Sequence, residues 1–572
     1  MASITKKMVR GHPYYYAREC KRVGGKPKIV WQKYLGRLED VVAAVDARRH
    51  GRPIPQTECE SLVTEFGAAA ALYDLSRRLD LAGIIDRHVP KRGSGASVGT
   101  YLVAATLNRC LAPRSKARLG EWFEATVLRR LLDIEARQLS SQRFWDHMDR
   151  VSPEAIAAIE EELARRVVEE FGLDLSRVLF DATNYFTFID TFNEKSTLAQ
   201  RGHSKEGRAS LRLVGLALLV SADGHVPLLH HTYPGNATDA PTFASLTGAL
   251  VARLKHVCDN VAHITVVFDK GNNSEENLAA LDAAPFHFVG SLVPSHHPDL
   301  LAVPADQFTS LAAVGLGEVR AFRVTKKVFG VERTVLVTYN ENLFVAQSKT
   351  LLREIGKRQR GLGEIVARLG RWRRGEVRGG RPPALDATRK AVENVLKGRH
   401  MKDLFEVELS LSDHLPDLRY SFRQDVWEGL QRTLLGKTLL FTDNQDWSDA
   451  EIVRAYRAQH HIEDGFRAMK DPHHIALRPQ YHWTDQKVKV HVFTCVLALM
   501  LLSLLRRHLA HKGIDLSIRH MLELLSSIRE VITVSGPEGP QAEPTLRTSL
   551  TRMSVDQRSL FQALDLARYT SA

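Results

Sequence analysis

Two short apolar runs in this chain each end in an aspartate: Arg177-Val-Leu-Phe-Asp181 and His263-Ile-Thr-Val-Val-Phe-Asp269. Each reads as a short apolar strand ending in an acid, part of an α/β sheet. Between them, Leu213–Ser221 and residues 226–233 flank Asp223-Gly224, the pattern of two strands joined by a tight turn. A helical stretch precedes the second run. Residues 277–283 then have helical spacing and 286–292 read as a further strand.

Three strands, a helix, a strand, a helix and a strand form the order of a ribonuclease H-like sheet. An acid at the C-terminal end of a strand points into the crevice where α/β sheets bind ligands. Asp181 and Asp269 are both expected there.

A third acid comes from a helix. Ser448-Asp449-Ala450-Glu451 is a capping box, and Asp471-Pro472 marks a stop, so one helix is predicted over about 449–470. Within it Ile452, Tyr456, Gln459, Glu463, Phe466 and Lys470 are spaced 4, 3, 4, 3 and 4, a single stripe. A glutamate in such a stripe is expected to face inward or into a site. Because an unpaired buried carboxylate is costly, a metal ion is its natural partner. Lys470 lies along the same face, placed to meet a phosphate. Three carboxylates suit hard cations such as Mg²⁺. Two such ions about 4 Å apart can activate an attacking oxygen and stabilise a leaving one in phosphodiester chemistry.

Tyr456-x2-Gln459-x3-Glu463-x6-Lys470 resembles the Y-x2-R-x3-E-x6-K signature of a branch of bacterial insertion-sequence transposases of the DDE class. The Phe-Asp-Ala-Thr-Asn-Tyr context of Asp181 and the Phe-Asp-Lys-Gly context of Asp269 resemble that family's first two acids. Tyr233-Pro-Gly-Asn-Ala-Thr-Asp239 and Leu477-Arg-Pro-Gln-Tyr-His-Trp483 are similar to it as well. The resemblance covers most of the chain. It implies Asp181, Asp269 and Glu463 as catalytic metal ligands, and Mg²⁺ or Mn²⁺ as cofactor. It also implies cleavage at an element's terminal inverted repeats with joining to target DNA, and a dimer assembled on DNA. Gln459 departs from the signature's arginine. Arg457, two residues away, lies on another helix face.

A chain of 572 residues exceeds one core and suggests three to four domains. With 44% apolar and 25% charged residues it is globular rather than disordered. The expected order is a basic β-hairpin over 1–50, with a turn at Gly24-Gly25. A helical, DNA-binding region follows over 51–170 and the first part of the core over 171–292. A β-containing insertion domain occupies 293–448, the second part of the core 449–510, and a helical C-terminal region 511–572.

The net charge of +13 is concentrated in two blocks. Residues 1–37 carry ten Lys/Arg against one Glu, and residues 349–402 sixteen against five acids. Clustered positive charge points to a polyanion such as DNA. Arg371, Arg373 and Arg374, around Trp372, are the expected DNA contacts in the second block. Lys205 and Arg208, before the second strand, are further phosphate contacts, as is the side chain of Tyr456.

Five dispersed cysteines without a CxxC pair argue against a disulfide framework and a zinc ribbon. No apolar run follows Lys6, Lys7 and Arg10, so no secretory signal is expected. A cytoplasmic setting fits, bacterial and nucleoid-associated by the resemblance. The most apolar stretch, residues 492–505, is shorter than a bilayer span and reads as a core helix. Adjacent histidines occur at 230–231, 296–297, 460–461 and 473–474, with no third ligand evident. Two other readings share these features: a metal-dependent nuclease without strand transfer, and a catalytically silent repressor derived from a transposase.

Overall fold

The computed structural model describes residues 2–9, 12–23, 26–36, 60–91, 95–208, 210–237, 253–257, 261–311, 317–478, 480–535 and 545–570. The chain divides into two compact units.

The smaller unit comprises residues 1–70, 124–131 and 522–572. Strands β1 (Ala2–Val9), β2 (His12–Val23) and β3 (Lys26–Gly36) form an antiparallel sheet in that order. The expected hairpin is β2–β3, and β1 adds a third strand. Its turn at Gly24-Gly25 lies outside the described residues. Tyr14 and Tyr16 pack against Tyr34, leaving Lys6, Lys7, Lys28 and Lys33 exposed.

The expectation that 51–170 and 511–572 are helical is corrected in both places. Strand β4 (Glu60–Glu65) pairs with Arg529–Ser535, which also pairs with Thr545–Leu550. Leu62-Val63-Thr64 and Val531-Ile-Thr-Val534 are β-branched-rich segments that pair well. Their partners lie far apart in sequence, so no local period announces the sheet.

The larger unit comprises residues 71–123 and 132–521. Its nine-stranded sheet contains β5 (Arg177–Phe186), β6 (Leu213–Ser221), β7 (Pro227–Pro234), β8 (Thr265–Val267) and β9 (His287–Ser291). It also contains β10 (Thr309–Ser310), β11 (Val319–Val328), β12 (Val331–Asn340) and, after a hairpin, β15 (Lys437–Thr442). The order is β10-β11-β12-β15-β9-β8-β5-β6-β7, with β5–β8 and β8–β9 parallel and every other pair antiparallel. Every residue of β6 is buried, as a continuous apolar run demands when both faces are covered. The helical stretch expected between β7 and β8 falls largely outside the described residues. Of it, 253–257 are helical.

Helices α1 (Leu81–His88), α2 (Val98–Leu111) and α3 (Pro153–Phe171) precede the sheet. Ser152 caps α3, Pro153 occupies its first turn, and Gly172 ends it at φ 58°. The apolar run at 492–505 lies within a 27-residue helix, Asp485–His511. That helix is long and apolar enough to cross a membrane by length and composition, yet nearly all of its apolar window is buried. It packs on α2 and β7.

The expected insertion over 293–448 is also corrected. Strands β10, β11, β12 and β15 extend the main sheet, because Val335-Leu-Val337 and Leu439-Leu-Phe441 are buried runs paired side by side. The segment that leaves the sheet lies between β12 and β15. It contains α4 (Glu341–Arg373), α5 (Leu385–Val395), the hairpin β13 (Phe405–Ser412)–β14 (Leu415–Phe422), and α6 (Gln424–Thr433). These elements share a core of their own, including Leu362, Leu369, Val392, Phe405, Leu418 and Trp427. Its two ends meet at one rung, where Tyr339 pairs with Lys437 and the Asn340 N–H donates to Gly436 O at 2.9 Å.

Candidate active site

The parallel strands set one row of side chains. β5 and β8 pair Leu179 with Val267, and β8 and β9 pair Val267 with Val289. Two residues further along each chain, that register brings Asp181, Asp269 and Ser291 level with one another. Asp181 is thus not at a strand end, as expected, but midway along β5. The strand continues to Phe186 because Ala182 through Phe186 keep pairing with β6. The acid stands where the neighbour β8 stops and the sheet opens.

The helix expected over 449–470 is broken. α7 (Asp449–Arg457) carries the capping box, with the Ser448 and Glu451 side chains each accepting from the other's backbone N–H. α8 (His460–Lys470) follows a turn at Ala458-Gln459. There the Gln459, His461 and Ile462 N–H groups bond three residues back, to Tyr456, Ala458 and Gln459 carbonyls. The tighter winding rotates the second segment, so the stripe does not continue unbroken. Gln459 is buried at the joint, whereas Glu463 is exposed rather than inward-facing.

Glu463 nevertheless lies near enough for its charge to act on Asp181 and Tyr456. The Asp181 carboxyl is pushed up to about 6, chiefly by burial. The negative charges of Asp269 and Glu463 add to that rise, while the Ala182 N–H at 2.7 Å and the Lys205 cation oppose it. Asp269 Oδ1 accepts from Ser291 Oγ at 2.9 Å and from the Tyr456 hydroxyl at 3.2 Å. Burial and the nearby acids push the Tyr456 phenol up, so it stays protonated and donates. Asp269 and Glu463 both act on the Asp181 carboxyl, and carboxylate oxygens are the ligands a hard divalent cation takes, although among the described residues these three do not bring their oxygens within 4.8 Å of one another.

The flanking cations are placed as follows. Lys205 Nζ donates to Ala182 O at 2.7 Å. Lys470 Nζ donates to Thr183 Oγ1 at 2.7 Å and Asn184 O at 2.8 Å, and pairs with Glu206 at 3.4 Å. Those contacts occupy its three donors, so its ammonium ties α8 to β5 rather than standing free. Glu206 also pairs with Arg478 at 3.0 Å. Arg208 is exposed and lies over the Phe186 ring at 5.7 Å.

Arg371, Arg373 and Arg374 lie at the end of α4, in the segment between β12 and β15. Arg373 pairs with Asp417 at 2.9 Å and Arg374 with Glu376 at 2.6 Å. None of their described bonds reaches the three acids. Sequence reasoning missed Ser291, Glu206 and Arg478. The end of β9 was legible, so strand register could have found Ser291. Arg478 lies within the Leu477–Trp483 segment that resembles the family, without a role read for it, and Glu206 carries no local signal. The pair His460-His461 gains a neighbour in Asp464, their ligand atoms all lying within 4.8 Å.

Residues 180–501, more than half of the chain, match the family model described as the transposase DDE domain. This chain belongs to the DDE transposase family. The matched span contains all three acids. The protein functions as a DNA transposase: the family cleaves and joins DNA, binds DNA, and generally uses divalent metal ions. A cryo-EM structure of the piggyBac transposase synaptic complex with hairpin DNA is similar to this transposase at 7% identity and a TM-score of 0.35. The similarity covers 80% of this chain and 78% of that one. Among curated proteins, none matches the chain significantly.

Proposed function

We propose that this transposase cuts at the terminal inverted repeats of an insertion sequence and joins the ends to target DNA, with Asp181, Asp269 and Glu463 as its catalytic metal ligands. The observation that carries the reading is the level placement of Asp181 and Asp269 on adjacent parallel strands, with the charge of Glu463 acting on Asp181. The strand order β7-β6-β5-β8-β9 supports a ribonuclease H-like core, and the spaced Tyr456, Glu463 and Lys470 support the bacterial insertion-sequence branch.

Asp181, Asp269 and Glu463 would hold Mg²⁺ or Mn²⁺, which would supply Lewis acidity for phosphodiester cleavage and joining. The chain's own residues do the rest. Ser291 and Tyr456 fix one oxygen of Asp269 and with it the rotation of the carboxylate. Lys205 balances Asp181. Lys470 holds α8 against β5, so that Glu463 keeps its place beside the strands. Lys205, Arg208 and Tyr456 line the DNA-facing rim. Arg371, Arg373 and Arg374 meet DNA from the segment between β12 and β15. Helices before β5 contribute to DNA binding. A dimer on DNA, acting in the bacterial cytoplasm, completes the reading.

The test is a cleavage assay with DNA carrying the repeats that flank the gene, in Mg²⁺. Cutting at the repeat ends should vanish in Asp181→Asn, Asp269→Asn and Glu463→Gln. Wild-type cutting by any of the three removes that residue from the assignment. Cleavage without joined products points to a nuclease, and binding without cleavage to a silent repressor.

A further inference from the structure

Beyond the row of acids, β5 leads to a group of aromatic side chains turned to solvent. Phe188 is 48% exposed, Phe192 89%, Tyr481 70% and Trp483 58%. Phe188 and Tyr481 are stacked, with centroids 5.5 Å apart and planes 21° apart. Phe186 meets Phe188 edge-on at 5.6 Å.

The exposure does not come from a loose loop. Phe188 N–H donates to Gln480 O at 2.9 Å, and Asn193 Nδ2 to Trp483 O at 3.2 Å. Arg212 binds the carbonyls of Thr191 and Asn193 at 2.6 and 2.8 Å. Asp485 accepts from Ser196 Oγ at 2.7 Å and from the Thr197 and Leu198 N–H groups at 3.0 Å each. A loop fastened at this many points, yet holding its largest apolar side chains in water, is built to meet something.

Charge identifies the occupant. Arg478 lies over the Phe186 ring at 5.0 Å, and Lys195 over Trp483 at 5.7 Å. Aromatic faces interleaved with cations suit nucleobases and their phosphates, and suit a purely apolar protein face poorly. Duplex bases hide their faces in the stack, so only unpaired ones can use such rings. We propose that Phe188, Phe192, Tyr481 and Trp483 form a stacking platform for unpaired bases of the DNA end engaged at Asp181, Asp269 and Glu463. The proposal rests on those acids marking where the backbone is cut. Asp181 and Phe186 are five residues apart on β5, about 17 Å at the usual rise. A stacked strand advances about 3.4 Å per nucleotide. The platform therefore takes bases roughly five nucleotides or more from the cleaved phosphate.

The experiment uses the full chain and a mixed-sequence single-stranded oligonucleotide carrying 2-aminopurine, beside a blunt duplex of the same sequence. Binding is read by anisotropy and stacking by 2-aminopurine quenching. Phe188→Ala, Tyr481→Ala and Trp483→Ala should each weaken single-strand binding about five- to 150-fold and relieve the quench, with duplex affinity nearly unchanged. Tyr481→Phe keeps the ring and should bind as wild type does. Tyr481 and Trp483 are 70% and 58% exposed, so melting temperatures of their alanine variants should move little. Wild-type single-strand affinity and quenching in the alanine variants overturn the proposal. So does a change in DNA-free self-association by sedimentation with single-strand binding intact, which assigns the face to a second copy. Asp181→Asn should keep the quench while losing cleavage of repeat-end DNA. Persistent cutting by that variant would count against the acid assignment alone.

Discussion

The Tyr456 hydroxyl donates to Asp269 Oδ1 at 3.2 Å, joining the helix that precedes Glu463 to the second acid of the sheet. Ser291 Oγ reaches the same oxygen at 2.9 Å. Two donors on one carboxylate oxygen fix the side chain's rotation, and if Asp269 holds a metal as proposed, groups behind it tune that affinity. Tyr456→Phe and Ser291→Ala should therefore each weaken metal affinity or cleavage on the order of ten- to a hundred-fold. A magnesium titration of cleavage rate measures both. Curves overlying wild type would mean the two hydroxyls are bystanders.

Asp181 makes the site pH-dependent. Its carboxyl titrates near 3.8 when unfolded and is pushed up to about 6 in the fold, by burial above all. An acid raised on folding leaves stability whole below pH 3.8 and lowers it as pH climbs through about 6. The metal-free protein should thus lose on the order of 3 kcal/mol between those limits from this group. Asp181→Asn should flatten that part of the profile in chemical denaturation. Magnesium affinity should run the opposite way, rising through about pH 6, because the ion needs the carboxylate.

Glu206 sits between Lys470 at 3.4 Å and Arg478 at 3.0 Å, and its side chain is only 16% exposed. Glu206→Ala leaves two neighbouring cations without their anion. The expected loss is about 1–3 kcal/mol, between an exposed pair and a fully buried one. Thermal denaturation reads it, and an unchanged midpoint would contradict this account of how α8 is held to β5.

Gly99 and Gly356 should respond oppositely to alanine. A methyl group on Gly99 would lie 2.1 Å from the Ala82 carbonyl oxygen, where α1 and α2 meet, so Gly99→Ala should cost about 1–3 kcal/mol. A methyl on Gly356, inside α4, meets nothing within 4 Å. Gly356→Ala should stabilise that helix by about 0.5–1 kcal/mol. Denaturant midpoints of the two variants decide it.

The acids were legible in the sequence because short apolar runs and a capping box are local signals. Their exact neighbours were less so. Asp181 looked like a strand end because the apolar run stops there, yet pairing with β6 carries the strand on to Phe186. Glu463 was expected to face inward or into a site because spacing was counted along an unbroken helix; a single tightened turn at Ala458-Gln459 upsets the count and leaves it exposed, with its charge acting on Asp181. Pairing between β4 and Arg529–Ser535 joins residues more than four hundred positions apart, and no window of sequence contains both. The exposed rings around Phe188 were hidden for a related reason, since sequence alone does not tell a core aromatic from one held out to water.

The segment between Asn340 and Lys437 departs from the sheet and returns to it on a single rung. A module inserted across one rung can grow, shrink or be exchanged without shifting the register of any strand on either side. The segment is therefore free to vary in length and surface while the strands that carry Asp181 and Asp269 keep an unchanged frame.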